Sequence, residues 1–418
     1  MEDEKEITIC AIPIIKWYDI KMDEFLRFPK GFFWGTATSA HQVEGNSIHS
    51  DWWKAEQEGK VPYKSGRACD SYNRYEEDFG LAKAMHNNAH RFSIEWARIE
   101  PEEGKFKEEE IEHYRKVIHA AKERGLEPFV TLHHFTNPQW FAEKGGWTNK
   151  IAPEYFERYV KFVAERLGKE AQYWITINEP LILIQHGYLY NHWPPFKRRD
   201  TRSAIRAIFA MIKAHKKAYR LIHAQNSEAK VGIAHAINYL DSSGGIFHIL
   251  KIPVLFANRY IKDRWFLNRI KDMQDFIGVN HYSRYAFSFR KGFSPEGNNL
   301  SDFGWQIYPQ GIYYVVKSLK KYKCPVYITE NGIADAKDDH RSAFIVGYLK
   351  ELHRAIEEGA DVRGYFHWSL LDNFEWSEGF NMKFGLVEVN FETLERTLRP
   401  SAKVYAEICR TSSLEIGN

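Results

Sequence analysis

Apolar positions along this chain fall into short unbroken blocks, separated by longer stretches in which they recur about every 3.6 residues. The blocks are "FFWGTAT" (32–38), "AHRFSIE" (89–95), "PFVTLHH" (128–134), "YWITIN" (173–178), "KVGIAHA" (230–236), "FIGVNHY" (276–282), "PVYITEN" (325–331) and "VRGYFHWS" (362–369). Each is rich in β-branched or aromatic residues and lacks strict alternation, as expected of strands buried on both faces. The intervening stretches read as amphipathic helices. In 109–125, Ile111, Tyr114, Val117, Ile118 and Ala121 form one stripe that ends on a glycine suited to a C-cap. Residues 153–168 begin with a proline near the first turn and turn Phe156, Tyr159, Val160 and Val163 inward. The stretches 203–224 and 343–359 repeat the form. Strand and helix alternating in this way, joined by right-handed crossovers, predict an α/β fold: a single (β/α)8 TIM barrel with elaborated loops after the strands. An open doubly wound sheet would carry a glycine-rich phosphate turn after an early strand, and "WGTATSAHQVEG" lacks that spacing. The expected barrel occupies 28–418, behind an N-terminal extension of residues 1–27.

Polar residues gather where these strands end. Gln42 and Glu44 follow the first, Arg91 lies within the second and Glu95 at its end, and His133 and His134 close the third. Asn178 and Glu179 end the fourth, Asn280 and Tyr282 the sixth, Glu330 and Asn331 the seventh, Trp368 the eighth. One such residue is an ordinary turn; together, in a barrel, they ring a single mouth. Two carboxylates facing each other there are the apparatus of glycoside hydrolysis, one protonating the leaving oxygen and the other attacking carbon or activating water. A cation and hydrogen-bond donors keep such a nucleophile ionised, and Arg91 and Tyr282 are the candidate supports.

Composition narrows the partners. The 418 residues include 58 basic and 55 acidic side chains for a net charge of +3, which gives nucleic acid or an acidic partner no footing. Aromatic content of 15%, with 13 tryptophans, suits sugar faces and a large core equally. Cys10, Cys69, Cys324 and Cys409 show no metal or redox spacing, and no metal or cofactor is expected. The N-terminus lacks the basic start and small-residue cleavage site of a secretory signal, and no apolar run approaches the ~20 residues of a membrane span, so a cytoplasmic enzyme is expected. One segment, 244–271, mixes apolar and aromatic residues with Lys and Arg. It reads either as a core-facing helix interrupted at Pro253 or as a surface for peripheral membrane contact.

In order, "FPKGFFWGTATSAHQVEG", "HRFSIEWARIEP", "ITINEP", "YITENG" and "GYFHWSLLDNFEWSEGF" resemble the motifs of family 1 of the glycoside hydrolases, from about Phe28 almost to the end. The resemblance implies a retaining β-glucosidase or β-galactosidase working through a covalent glycosyl-enzyme on small β-glycosides or oligosaccharides. It makes Glu179 the acid/base and Glu330 the nucleophile. It assigns Gln42, His134, Asn178, Glu375 and Trp376 to the sugar hydroxyls, Trp368 to the sugar's apolar face and Phe384 to the pocket lining; Arg91, Asn280 and Tyr282, read from their places at the strand ends, are expected in support. "NFEWSEGF" keeps Glu375 and Trp376, which favours unphosphorylated sugars. The chain departs from the family at "HFTNP" (134–138), where many members read His-Trp-Asp-Leu-Pro, and at Lys383 and Asn390, where Arg and Asp are common. The alternatives are a non-catalytic sugar-binding barrel, disfavoured by the presence of both glutamates, and a β-glycosidase specialised for alkyl aglycones.

Overall fold

The computed structural model describes residues 25–242 and 248–415. Eight strands form a closed parallel barrel: β1 (Phe33–Ala37), β2 (Ala89–Ser93), β3 (Glu127–Thr131), β4 (Tyr173–Asn178), β5 (Lys230–Ala236), β6 (Phe276–Asn280), β7 (Val326–Asn331) and β8 (Val362–Trp368). Each lies beside its neighbours in the chain, and β8 pairs with β1 to close the ring. The main outer helices are α1 (Ser71–Ala84), α2 (Glu108–Glu123), α3 (Ala152–Leu167), α4 (Thr201–Gln225), α5 (Trp265–Ile270), α6 (Gln310–Leu319), α7 (Arg341–Glu357) and α8 (Pro400–Thr411). The stripe expected along α2 is buried against the barrel, as are Phe156, Tyr159, Val160 and Val163 of α3.

Aromatic rings fill the barrel's interior. Phe129 of β3 stacks on Tyr173 of β4 with centroids 4.2 Å apart and meets Phe366 of β8 edge-on at 4.7 Å. Such bulk fits because the paired positions on neighbouring strands carry glycine. A Cβ on Gly35 would lie 2.5 Å from Phe366 Cδ1, and one on Gly232 would lie 2.7 Å from the Phe276 ring.

The strands are where the sequence places them, but several stop earlier. β2 ends at Ser93, β3 at Thr131 and β6 at Asn280, each short of the apolar run that predicts it. The residues beyond leave the ladder and turn over the mouth. The strands bearing the two glutamates also change register there. The β4–β5 pairing shifts between Ile175 and Asn178, and β7 shifts against both neighbours beyond Ile328. Irregularities of this kind re-aim side chains at a strand's end.

The segment 244–271 departs from the expected core-facing helix broken at Pro253. Residues 244–247 lie outside the described part, as does Cys10; the helix His248–Arg259 runs through Pro253 and is followed by a π-helical turn and α5. The helix packs on a small sheet made of 239–242, 284–288 and 292–294; its Leu250, Ile252 and Phe256, and Ile261 in the turn after it, are exposed.

Candidate active site

At the C-terminal mouth of the barrel the half of the candidate site around the two glutamates is one continuous hydrogen-bonded network. Arg91, reaching from β2 and wholly buried, is its hub. Its Nη1 donates to Glu330 Oε1 at 2.5 Å, its Nη2 to Asn178 Oδ1 at 2.7 Å and its Nε to Thr131 Oγ1 at 3.2 Å. Tyr282, just past β6, donates its hydroxyl to the other Glu330 oxygen at 2.5 Å. Asn280 at the end of β6 donates to Glu179 Oε1 at 2.7 Å and to Asn178 Oδ1 at 3.1 Å, while its own oxygen accepts from Thr329. Glu179 follows β4 with a φ of 44°, a left-handed turn that a glutamate adopts at a cost and that surrounding structure must hold. Its backbone N–H is tied to Ala234 O at 2.8 Å.

The two carboxyls are buried together and so affect each other. Burial, then the charge of Glu330, push Glu179 up to about 8, against the smaller opposing effects of Asn280 and Arg91. Burial also lifts Glu330, but Arg91 and Tyr282 oppose it directly. Glu330 accepts two strong hydrogen bonds and faces a guanidinium, whereas Glu179 accepts one from an amide. The proton shared by the pair therefore resides on Glu179.

The other half of the site has spare hydrogen-bonding capacity. Gln42, in the turn after β1, receives the Ser39 hydroxyl on its oxygen at 2.6 Å and donates to Asn373 at 3.0 Å and Glu375 at 3.2 Å. Glu375 is pushed up to about 8, first by burial and then by the charge of Glu330. His134 accepts from Asn178 Nδ2 through its Nε2 at 3.2 Å, because the Asn178 oxygen is already engaged by two donors. The His134 proton is thus on Nδ1, which is buried and has no protein partner. Burial and the Arg91 charge keep this ring neutral. It lies nearly parallel to both Trp368 and Trp376, with centroids 6.1 and 6.2 Å away. Phe384 meets the Tyr282 ring at 6.2 Å, so the residues singled out by the family resemblance lie in one cluster.

Some rim residues do other work. Glu44 accepts from Arg98 at 2.8 Å and Tyr114 at 3.0 Å, Glu95 caps the helix Trp96–Ile99 and holds the Thr136 hydroxyl, and Asn331 bridges His281 and Tyr365. Sequence reading missed Thr131, Thr329 and Asn373, which lock Arg91, Asn280 and Gln42. It also missed Trp305, stacked on Phe303 at 4.2 Å and 5.1 Å from Tyr282 at the mouth. The spacing "FGW" in a long loop carries no period that would mark it.

A closed parallel barrel with two buried, electrostatically opposed carboxylates at its mouth defines a glycoside hydrolase of the TIM-barrel class. A family model described as Glycosyl hydrolase family 1 matches residues 25–244 and 261–414, and the chain belongs to that family. Beta-glucosidase A of Thermotoga maritima is 31% identical over 93% of this chain and 99% of its own length. The Beta-galactosidase of Pyrococcus woesei is 31% identical over 91% and 96%. The solved structure of a beta-glycosidase from Pyrococcus horikoshii superposes with a TM-score of 0.88 at 40% identity, covering 93% of this chain and 96% of that one. The protein is accordingly an O-glycosyl hydrolase of β-glycosides with the retaining chemistry general to the family. Among the described residues no helix is long and apolar enough to cross a membrane.

Proposed function

We propose that this enzyme removes terminal β-D-glucosyl and β-galactosyl residues from unphosphorylated β-glycosides, with Glu179 as acid/base and Glu330 as nucleophile. The asymmetric surroundings of the two carboxyls carry the assignment. Glu179, protonated at neutral pH, gives its proton to the glycosidic oxygen as Glu330 attacks the anomeric carbon from the opposite face. The C–O bond to the aglycone breaks and an ester to Glu330 forms. Esterification removes the charge that held the Glu179 proton, so Glu179, now a carboxylate, takes a proton from water as the hydroxide oxygen displaces Glu330. The free His134 Nδ1–H, Gln42 and Glu375 supply donors and acceptors for the sugar hydroxyls, and the Trp368 ring offers a face for its C–H groups. A carboxyl at Glu375 also disfavours a phosphorylated sugar.

Glu330→Gly should nearly abolish turnover of an aryl β-glucoside, with azide partly restoring it and yielding the inverted α-glycosyl azide; unchanged hydrolysis would end the assignment. For location we propose a cytoplasmic enzyme that touches anionic bilayers through the exposed Leu250, Ile252, Phe256, Ile261 and Phe289, flanked by exposed Lys262, Arg290 and Lys291. Residues 245–260, which supply most of that face, fall outside the family match. Co-sedimentation with phosphatidylserine vesicles, lost in Phe256→Asp, supports this reading; indifference to vesicles refutes it.

A further inference from the structure

The loop carrying His134 departs from the family pattern, with Thr136 where many members have an aspartate. Two carboxylates reach this loop from neighbouring segments. Glu95 receives the Thr136 hydroxyl at 2.8 Å. Asp51, the first residue of the short helix Asp51–Gln57 in the loop after β1, makes a two-pronged clasp on Asn137. The Asn137 backbone N–H donates to Asp51 Oδ1 at 2.9 Å and its side-chain Nδ2 to Asp51 Oδ2 at 2.9 Å. The Asp51 N–H returns a bond to the Asn137 carbonyl at 2.8 Å. Ser50 bridges to Pro138, and Gln139 closes the seam with bonds to His49 and Ile48 carbonyls.

What this clasp holds is the sugar-facing part of the site. Between the third strand and Asn137 lie His134 and Phe135, and the Asn137 oxygen itself meets His133 Nε2 at 3.0 Å. Phe135 sits at a φ of 71°, a left-handed conformation costing a non-glycine residue on the order of 1–3 kcal/mol and persisting only where surroundings impose it. Its buried ring packs at 5.2 Å on Trp376, 4.9 Å on Trp193 and 5.0 Å on His134. Displacing Phe135 would therefore shift the two rings assigned to the sugar hydroxyls.

We infer that Asp51 is a positioning residue for sugar recognition, acting through Asn137 on His134 and Trp376. This rests on the sugar-binding roles proposed above. A purely structural residue would weaken folding and leave the contribution of His134 intact. A positioning residue makes that contribution disappear. Three variants, Asp51→Ala, His134→Ala and their double, are compared on an aryl β-glucoside, together with melting curves. Asp51→Ala should lower kcat/KM roughly 10- to 100-fold, chiefly through KM, in a protein that still melts cooperatively. The double should lose little beyond His134→Ala alone, the signature of residues acting as one unit. The exchange variant Asp51→Asn with Asn137→Asp reverses the side-chain-to-side-chain bond, leaves an oxygen at position 51 to accept the backbone N–H of position 137, and should recover most of the loss. Additive losses, an unchanged KM in Asp51→Ala, or an exchange variant as impaired as Asp51→Ala would each overturn the inference. The Glu330→Gly test separates the failures: turnover surviving that change removes the proposed function, whereas additivity beside a dead Glu330→Gly removes only the clasp.

Discussion

Replacing Glu330 with glutamine removes a charge without removing the side chain, and the response of Glu179 can be worked out beforehand. Glu179 titrates at about 8 because it is buried and because Glu330 is ionised beside it. In a retaining glycosidase the carboxyls stand about 5.3 Å apart, and at an effective dielectric of ~20 one unit charge acts on another with about 3 kcal/mol. At 1.36 kcal/mol per pKa unit, the Glu330→Gln change should lower the Glu179 pKa by roughly two units. The Arg91 charge, which also lowers Glu179, is no longer neutralised by its partner, so the electrostatic drop is a floor. Burial remains and keeps the carboxyl above its ordinary range. Carboxyl 13C chemical shifts, followed with pH in wild type and variant, report the titration directly. The wild-type kcat/KM should independently fall above pH 8, as the acid loses its proton. Identical titration of Glu179 in both proteins would show that burial alone sets its pKa, leaving the exchange of roles during turnover without an electrostatic cause.

Glu179→Ala should cost 10²- to 10⁴-fold on glycosides with poor leaving groups and far less, in the first step, on activated aryl glycosides; steady-state rates across a leaving-group series check this. Tyr282→Phe deletes a hydrogen bond to the ionised form of Glu330 worth about 1.5–3 kcal/mol, which should raise that group's pKa and move the acid limb of kcat/KM upward by one to two pH units. An unmoved acid limb would show that Tyr282 does not stabilise the carboxylate. Gly35→Ala should lower the melting temperature through overpacking of about 1–3 kcal/mol or more, since the new methyl would collide with both Phe366 and the Ala89 carbonyl.

The barrel is legible in the sequence because strands buried on both faces announce themselves as apolar runs, and because the stripes of α2 and α3 are unbroken. The strand ends are less so. "LHH" continues the apolar run of "PFVT", yet the chain leaves the ladder after Thr131, and His133 and His134 find their partners in Asn137 and Asn178 instead. The glutamates are readable since each ends a strand beside an asparagine. Glu44 and Glu95 occupy similar positions but are engaged by Arg98, Tyr114 and Thr136, partners that no local pattern identifies. The Asp51–Asn137 clasp joins residues far apart in the chain and is invisible to periodicity, as is the Trp305–Phe303 stack in a long irregular loop. Pro253 reads as a break, but a helix can continue through proline where neighbouring contacts hold it.

The division of the site into a saturated half and an unsaturated half accounts for how it can both bind and react. Arg91, Asn178, Asn280 and Tyr282 spend their donors on one another, on the two carboxyls and on Thr131 and His134, so that their geometry is fixed before a sugar arrives and little reorganisation accompanies charge movement. His134 has the opposite character. Its Nε2 is satisfied from within, which dictates the tautomer and leaves Nδ1–H buried with nothing to meet. An unpaired buried donor costs of order 1–3 kcal/mol, and a hydroxyl placed there recovers it. The same loop needs a strained Phe135 and a borrowed carboxylate from Asp51 to hold that donor in place. Strain, an orphaned donor and an imported acid converging on one turn are costs that packing alone does not require, and the sugar contact proposed for His134 accounts for all three.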